Sequence, residues 1–173
     1  MKNVVLIGFM GTGKSSIGRL LACRLRRPFM DTDKKIEREY GMTIPEIFQQ
    51  FGEVGFRSRE SAVVAKLSRY TNAVISTGGG IVLSADNIRR LRANGVIIAL
   101  SASPQTILER TSRRNNRPLL NQPDREQTII KLLNERAPLY AVSDFSIDTT
   151  NYTPHQVVDR IISFLREGGF LRG

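Results

Sequence analysis

The chain has 173 residues, 40% hydrophobic and 24% charged, which fits one globular domain able to bury a sizeable core and excludes a disordered chain. Its 26 basic residues against 16 acidic ones give a formal charge of +10, a surplus that suits anionic partners: nucleic acid, a membrane surface, or small phosphorylated or carboxylated molecules. A single cysteine, Cys23, excludes an internal disulfide, and with a single histidine, His155, leaves too few soft ligands for a zinc site.

In chain order, Val4 to Ile7 is a short β-branched run that reads as a buried strand. Ile17, Leu20, Leu21 and Leu25 then fall at helical spacing, predicting a helix from Lys14 to about Arg27, broken by Pro28. Leu20-Leu21-Ala22-Cys23 resembles a lipoprotein cleavage site. Lys14 and Arg19 interrupt the apolar stretch before it, so neither secretion nor lipidation is expected. Nor does any stretch reach the roughly 18 apolar residues of a membrane span.

A second strand is expected over Phe29 to Asp31 and a helix over Thr32 to Tyr40, ending near Gly41. Thr43 with Glu46 forms a capping-box pattern for the next helix, with Pro45 in its first turn. A further helix follows over Glu53 to Arg69, then a third strand over Ala73 to Ser76, closed by Gly78 to Gly80. Ser84 caps a helix to about Asn94, Val96 to Leu100 is a fourth strand, and Ser103-Pro104 opens another helix. Arg110 to Asp124, rich in Arg, Asn and Pro, reads as a mobile loop. Glu126 to Tyr140 is helical, Phe145 to Asp148 is a fifth strand, and Thr153-Pro154 starts a last helix to about Arg166. Such alternation implies a mostly parallel sheet covered on both faces, with ligands outside the carboxyl ends of its strands.

The sharpest motif is Gly8-Phe9-Met10-Gly11-Thr12-Gly13-Lys14-Ser15, which fits GxxxxGK[ST] between a predicted strand and a predicted helix. Its glycines allow backbone that turns several N–H groups inward, and the helix that follows aims its positive dipole end at the same point. Lys14 would reach the β- and γ-phosphates of a nucleotide, and Ser15 would ligate Mg²⁺. This motif specifies a nucleotide but not a reaction.

Four other clusters bear on the acceptor, and each also has a plainer reading. Asp31 and Asp33 can hold a metal shell and take a proton from an attacking hydroxyl, or simply begin a helix. Arg57 and Glu60, three apart on a helix, can form a fixed guanidinium for a carboxylate, or an ordinary surface ion pair. Gly78-Gly79-Gly80 can approach a ligand closely, or be a flexible turn. Arg136 can bind an anion or complement a helix dipole, and Tyr140 reads as packing. Between these clusters, Arg110, Arg113, Arg114 and Arg117 suit a lid that closes on ATP; a solvated basic loop or a nucleic-acid contact is the alternative.

Taken together, the phosphate loop, Asp31-x-Asp33, Phe56-Arg57-x-x-Glu60, Gly78-Gly79-Gly80, Arg117-Pro118-Leu119 and Arg136-x-Pro138-Leu139-Tyr140 resemble shikimate kinase in order and spacing, over essentially the whole chain. The resemblance implies a three-layer αβα P-loop kinase fold like that of nucleoside monophosphate kinases. It has a five-stranded parallel sheet, a helical substrate-binding region at about 32–60, a lid at about 110–124 and an adenine loop at about 149–154. It implies transfer of the γ-phosphoryl group of ATP to the 3-hydroxyl of shikimate, within aromatic amino-acid biosynthesis. By the same resemblance, Gly11, Thr12, Gly13, Lys14, Ser15, Ser16, Arg110, Arg117 and Thr153 contact the nucleotide. Asp33 binds the shikimate hydroxyls and acts as base. Arg57, Arg136, Gly79 and Gly80 bind its carboxylate and ring, Glu60 orients Arg57, and Asp31 reaches Mg²⁺ through water. Lys14, Asp33 and Arg117 are then the catalytic set.

The expected partner is the small molecule alone, with no nucleic acid and no membrane, for a single-domain cytoplasmic monomer. Competing readings are another P-loop kinase, for gluconate or a nucleoside monophosphate, a P-loop module that binds nucleic acid through its basic loop, and a regulatory protein that has lost turnover.

Overall fold

In the computed structural model, residues 1–113 and 124–171 are described. Five strands, β1 (Asn3–Gly8), β2 (Phe29–Asp31), β3 (Val74–Ser76), β4 (Gly95–Ser101) and β5 (Phe145–Asp148), form one sheet in the order β2-β3-β1-β4-β5. Every pairing is parallel, with Val5 opposite both Ile75 and Ile97 at the centre. The helices are α1 (Lys14–Leu25), α2 (Thr32–Tyr40), α3 (Ile44–Leu67), α4 (Ala85–Ala93), α5 (Pro104–Ser112), α6 (Arg125–Tyr140) and α7 (Pro154–Glu167).

Side chains alternate across a strand, and here both faces are covered, so the strands read as unbroken apolar runs. Val5, Ile7, Ile75, Ile97 and Ala99 pack toward α2, α3 and α4, against residues such as Ile36, Ile47, Val63 and Leu91. Val4, Leu6, Val74, Ile98 and Leu100 face the other way, onto Ile17 and Leu21 of α1 and Val157, Ile161 and Leu165 of α7. A third, smaller cluster joins Phe9 and Met10 of the glycine-rich loop to Ile107 of α5 and Ile129 of α6. Two apolar residues of the loop are therefore anchored, and its polar backbone is left for the cleft.

The chain winds from β1 out to β2, back through β3 beside β1, and then to β4 and β5 on the opposite side. That reversal opens a crevice at the carboxyl end of β1, where the glycine-rich loop begins.

Most elements match the sequence reading, and the departures have local causes. Helix α1 stops before Arg27, because Arg26 adopts a left-handed conformation (φ 53) and its N–H returns to the last turn. Arg27 is buried, with its guanidinium donating to the carbonyl of Lys2. The two helices expected on either side of residue 52 form one stretch broken at Gly52 (φ 68), and the Thr43–Glu46 capping box is present at its start. Helix α5 continues through Ser112, so Arg110, expected in a loop, is a helical residue; residues 114–123 of the expected loop lie outside the described residues. A 3₁₀ turn at Ile81–Leu83 follows the three glycines and was not anticipated. Among the described residues no helix is long and apolar enough to cross a membrane.

Leu21, fully buried between α1 and the sheet, carries the helix that begins at the glycine-rich loop. Leu21→Ala should lower unfolding free energy by about 2–5 kcal/mol, read as an earlier urea midpoint at unchanged slope.

Candidate active site

The glycine-rich loop uses its glycines for conformation. Gly8, Gly11 and Gly13 all have positive φ (145, 84 and 97), which side-chain-bearing residues rarely adopt. Gly13 caps α1 without any side-chain hydrogen bond. The first N–H groups of that helix are therefore left for a ligand rather than for a capping oxygen, and the helix dipole favours an anion there. Lys14 is 8% exposed and donates from Nζ to the carbonyls of Gly8 (2.6 Å) and Phe9 (2.9 Å), folding the loop around its own ammonium.

Beside the loop, Asp31 divides its two carboxylate oxygens between two tasks. Oδ1 accepts from the N–H of Asp33 (3.0 Å) and Lys34 (3.2 Å) and so caps α2, while Oδ2 accepts from the Ser15 hydroxyl at 2.9 Å. The helix-start reading and the metal-shell reading of Asp31 thus describe different atoms of one residue. Ser15 and Asp31 offer adjacent hard oxygens. Mg²⁺ keeps several waters and takes substrate phosphate oxygens, so one hydroxyl and one carboxylate suffice on the protein side. Consistent with this, no group of three or more His, Cys, Asp or Glu able to hold a metal occurs among the described residues.

A cleft of about 610 Å³ runs from Gly11–Ser16 past Asp31 and Asp33 to Gly78 and Gly79, with Arg110, Arg113, Thr149 and Pro154 along its other wall. Beyond Gly79 the acceptor cluster closes in. A Cβ placed on Gly78 would lie 2.8 Å from Asp33 Oδ1 and 3.1 Å from Glu60 Oε2, and one on Gly80 would lie 2.6 Å from Arg57 Cζ. A Cβ on Gly79 would stand 3.1 Å from the backbone nitrogen of Met10 in the phosphate loop. None of these three glycines has positive φ. A side chain at any of the three would press on these groups and force them to shift.

Arg57 is held between Glu60 (2.9 Å) and Glu53 (3.3 Å), and its guanidinium lies over the Phe56 ring. Arg136 is 4% exposed, with its guanidinium 5.8 Å above the Phe9 ring. Three buried polar atoms in this cluster have no hydrogen-bond partner: Glu60 Oε2, Arg57 Nε and Arg136 Nη1. Buried polar groups are rarely left so, and two guanidiniums with spare donors suit a carboxylate ligand.

At the nucleotide end, Arg110 donates to the carbonyl of Gly11 (3.2 Å) and to both Oγ1 and the carbonyl of Thr149. Thr149 Oγ1 also lies 3.0 Å from the carbonyl of Thr12, tying the segment after β5 to the phosphate loop. Thr153 is occupied in capping α7, where its hydroxyl accepts from the N–H of Gln156, so Thr149 and Pro154 are the residues of that segment that line the cleft. Ser16 lines the cleft. Arg114 and Arg117 fall outside the described residues.

Sequence reasoning passed over Thr77, which lines the cleft and donates to the Leu6 carbonyl at 2.8 Å, and it took Tyr140 for packing. The Tyr140 hydroxyl donates to the carbonyl of Gly79 at 2.6 Å. Its spacing of four from Arg136, which puts both on one helix face, was the available signal.

A glycine-rich phosphate loop at the carboxyl edge of a five-stranded parallel sheet, opening on a cleft that also takes in Asp31, Asp33, Gly78 and Gly79, defines a P-loop kinase. The shikimate kinase family model matches residues 10–166, and the chain belongs to that family. A shikimate kinase of Pelotomaculum thermopropionicum is 48% identical over 171 residues, covering 99% of each chain. The shikimate kinase of Acinetobacter baumannii, solved in complex with shikimate, superposes with a TM-score of 0.94 at 39% identity, over 97% of this chain and 94% of that one. A gluconokinase of Sinorhizobium meliloti aligns over 96% of this chain and 92% of its own with a TM-score of 0.62 at 17% identity, a likeness of fold alone.

Burial raises the Glu60 carboxyl above its ordinary 4.5, against the opposing pull of Arg57 and Arg136. A raised carboxyl binds its proton more tightly when folded, so its contribution to stability declines as pH climbs from 4.5 through the folded value. Glu60→Gln removes that slope. Urea unfolding of both proteins from acid to neutral pH should show the wild type losing ground to the variant as pH rises, and a flat difference would contradict the assignment.

Proposed function

We propose that this chain is a shikimate kinase in activity as well as family, transferring the γ-phosphoryl group of ATP to the 3-hydroxyl of shikimate. The carrying observation is that the cleft lined by the phosphate loop also takes in Asp33, Gly78 and Gly79, with the Arg57 guanidinium against the neighbouring Gly80. Shikimate is a carboxylated polyol. The two arginines suit its carboxylate, and Asp33 suits its hydroxyls.

The attacking hydroxyl oxygen bonds to the γ-phosphorus as the bond to the β,γ-bridging oxygen breaks. The hydroxyl proton passes to Asp33, and ADP leaves with the bridging oxygen. Such a transfer needs positioning and charge neutralisation more than covalent help. Lys14 exchanges its loop carbonyls for phosphate oxygens, and the N-terminus of α1 adds backbone donors. Ser15 and Asp31 would hold Mg²⁺, which would supply further neutralisation of the phosphate charge.

On this reading residues 1–173 are one kinase domain. Arg110 marks the adenine side, and Arg117, the expected lid arginine, lies outside the described residues. The basic surplus serves anionic small molecules rather than nucleic acid, in a cytoplasmic monomer.

A coupled ADP-release assay with ATP and Mg²⁺ should show turnover with shikimate and far less with gluconate or a nucleoside monophosphate; the reverse preference would defeat the assignment. Lys14→Ala and Asp33→Ala should each lower kcat by about 100-fold or more. Arg57→Ala and Arg136→Ala should chiefly raise the KM for shikimate. Near-normal kinetics in all four would contradict the site.

A further inference from the structure

Tyr140 is the last residue of α6, one turn beyond Arg136, and the reaction described above gives it no part. Its ring packs with residues of two separate clusters, the one beneath α2–α4 and the one under the phosphate loop. Its hydroxyl donates to the Gly79 carbonyl at 2.6 Å, across 61 residues of sequence. A phenylalanine would fill the same space, so the hydroxyl needs a reason of its own.

The Gly79 carbonyl and the Gly80 N–H belong to one peptide unit. That unit is planar and trans, so the two groups point in opposite directions. Fixing the carbonyl on Tyr140 therefore fixes the direction of the N–H. Among the described residues no backbone carbonyl of a turn, loop or cap takes the N–H of Gly80. The guanidinium of Arg57, itself an anion-binding group with a spare donor, lies directly against Gly80. The carbonyls on either side are held by other groups, that of Gly78 by the Ile81 N–H (3.2 Å) and that of Gly80 by the Leu83 N–H (3.1 Å), which leaves the Gly79–Gly80 peptide plane to the tyrosine clamp; with glycine on both sides it could turn over at little cost without it.

We propose that Tyr140 is a positioning residue for the phosphoryl acceptor: by holding the Gly79 carbonyl it aims the Gly80 N–H as a donor beside Arg57. The inference rests on the acceptor reading given above. It has a second consequence, because Gly79 also abuts the Met10 nitrogen of the phosphate loop. The clamp spaces the acceptor pocket from the nucleotide loop. Burial pushes the phenol up to about 12, so the hydroxyl keeps its proton, and the clamp its donor, throughout the neutral range.

The test is Tyr140→Phe, assayed with shikimate and ATP beside the wild type. The KM for shikimate should rise roughly tenfold, as for loss of one well-placed hydrogen bond, while the KM for ATP holds and kcat changes little. A melting temperature that falls while both KM values stay put, or an equal loss on both substrates, would mean that the hydroxyl serves only the fold, and would overturn the proposal. Absence of shikimate turnover in the wild type would instead overturn the functional reading, and this inference with it. A second measurement does not depend on the variant folding. In wild-type protein labelled with ¹⁵N-glycine, shikimate alone should move the assigned Gly80 amide resonance and leave that of Gly41, at the far end of α2, in place. An unmoved Gly80 resonance would also overturn the proposal.

Discussion

Over Gly78–Gly80 the chain brings the Asp33 and Glu60 carboxylates, the Arg57 guanidinium and the phosphate-loop backbone so near that a side chain added there would displace one of them. This close approach makes one site out of two. On the proposed reading, the loop after β1 holds phosphate whatever the acceptor, and the arginine–aspartate cluster takes the anion whatever the donor. Only their separation by bare backbone lets a hydroxyl in one reach a phosphorus in the other, and effective molarity depends steeply on that distance. The sheet enforces it: β1 and β3 are hydrogen-bonded neighbours, so the loops leaving their carboxyl ends must lie side by side.

The acceptor end is built at an electrostatic cost. Glu60 is 1% exposed and Arg136 is 4% exposed, and charges so buried are tolerated only when paired and hydrogen-bonded. Arg57 satisfies one oxygen of Glu60, while the other oxygen and one nitrogen of Arg136 lack partners. Arg57 and Arg136 each keep one guanidinium nitrogen without a partner. A carboxylated ligand can accept from both, which gives the pocket a preference for such anions that neither arginine has alone. Tyr140 and Phe56 supply the rigid apolar backing for these groups.

The architecture was legible because each signal was local. β-Branched runs, Pro28, Gly41 and the Thr43–Glu46 box determine where elements begin and end, and the observed strands over Phe29–Asp31 and Phe145–Asp148 match the reading residue for residue. The phosphate loop was legible for the same reason, its glycines being demanded by backbone conformation. Gly78–Gly80 was not, because its demand is spatial. Nothing in three consecutive glycines says that Asp33 from α2 and Arg57 and Glu60 from α3 will lean over them. Tyr140 packs as the sequence reading expects, but its hydroxyl bond was not legible, because the partner is a carbonyl 61 positions away, which no periodicity encodes. Likewise the reach of α5 through Ser112 is set by packing of Ile107 and Thr111 beneath the phosphate loop, against the turn-forming composition of the segment that follows.

The claim that one crevice joins nucleotide and acceptor is tested most directly by a crystal structure of the ternary complex with shikimate and a non-hydrolysable ATP analogue. The account predicts the shikimate 3-hydroxyl oxygen about 3–3.5 Å from the γ-phosphorus, in line with the bridging oxygen, with its carboxylate between Arg57 and Arg136. Shikimate seated in a cavity apart from the phosphate loop, or with its carboxylate turned away from both arginines, would contradict it.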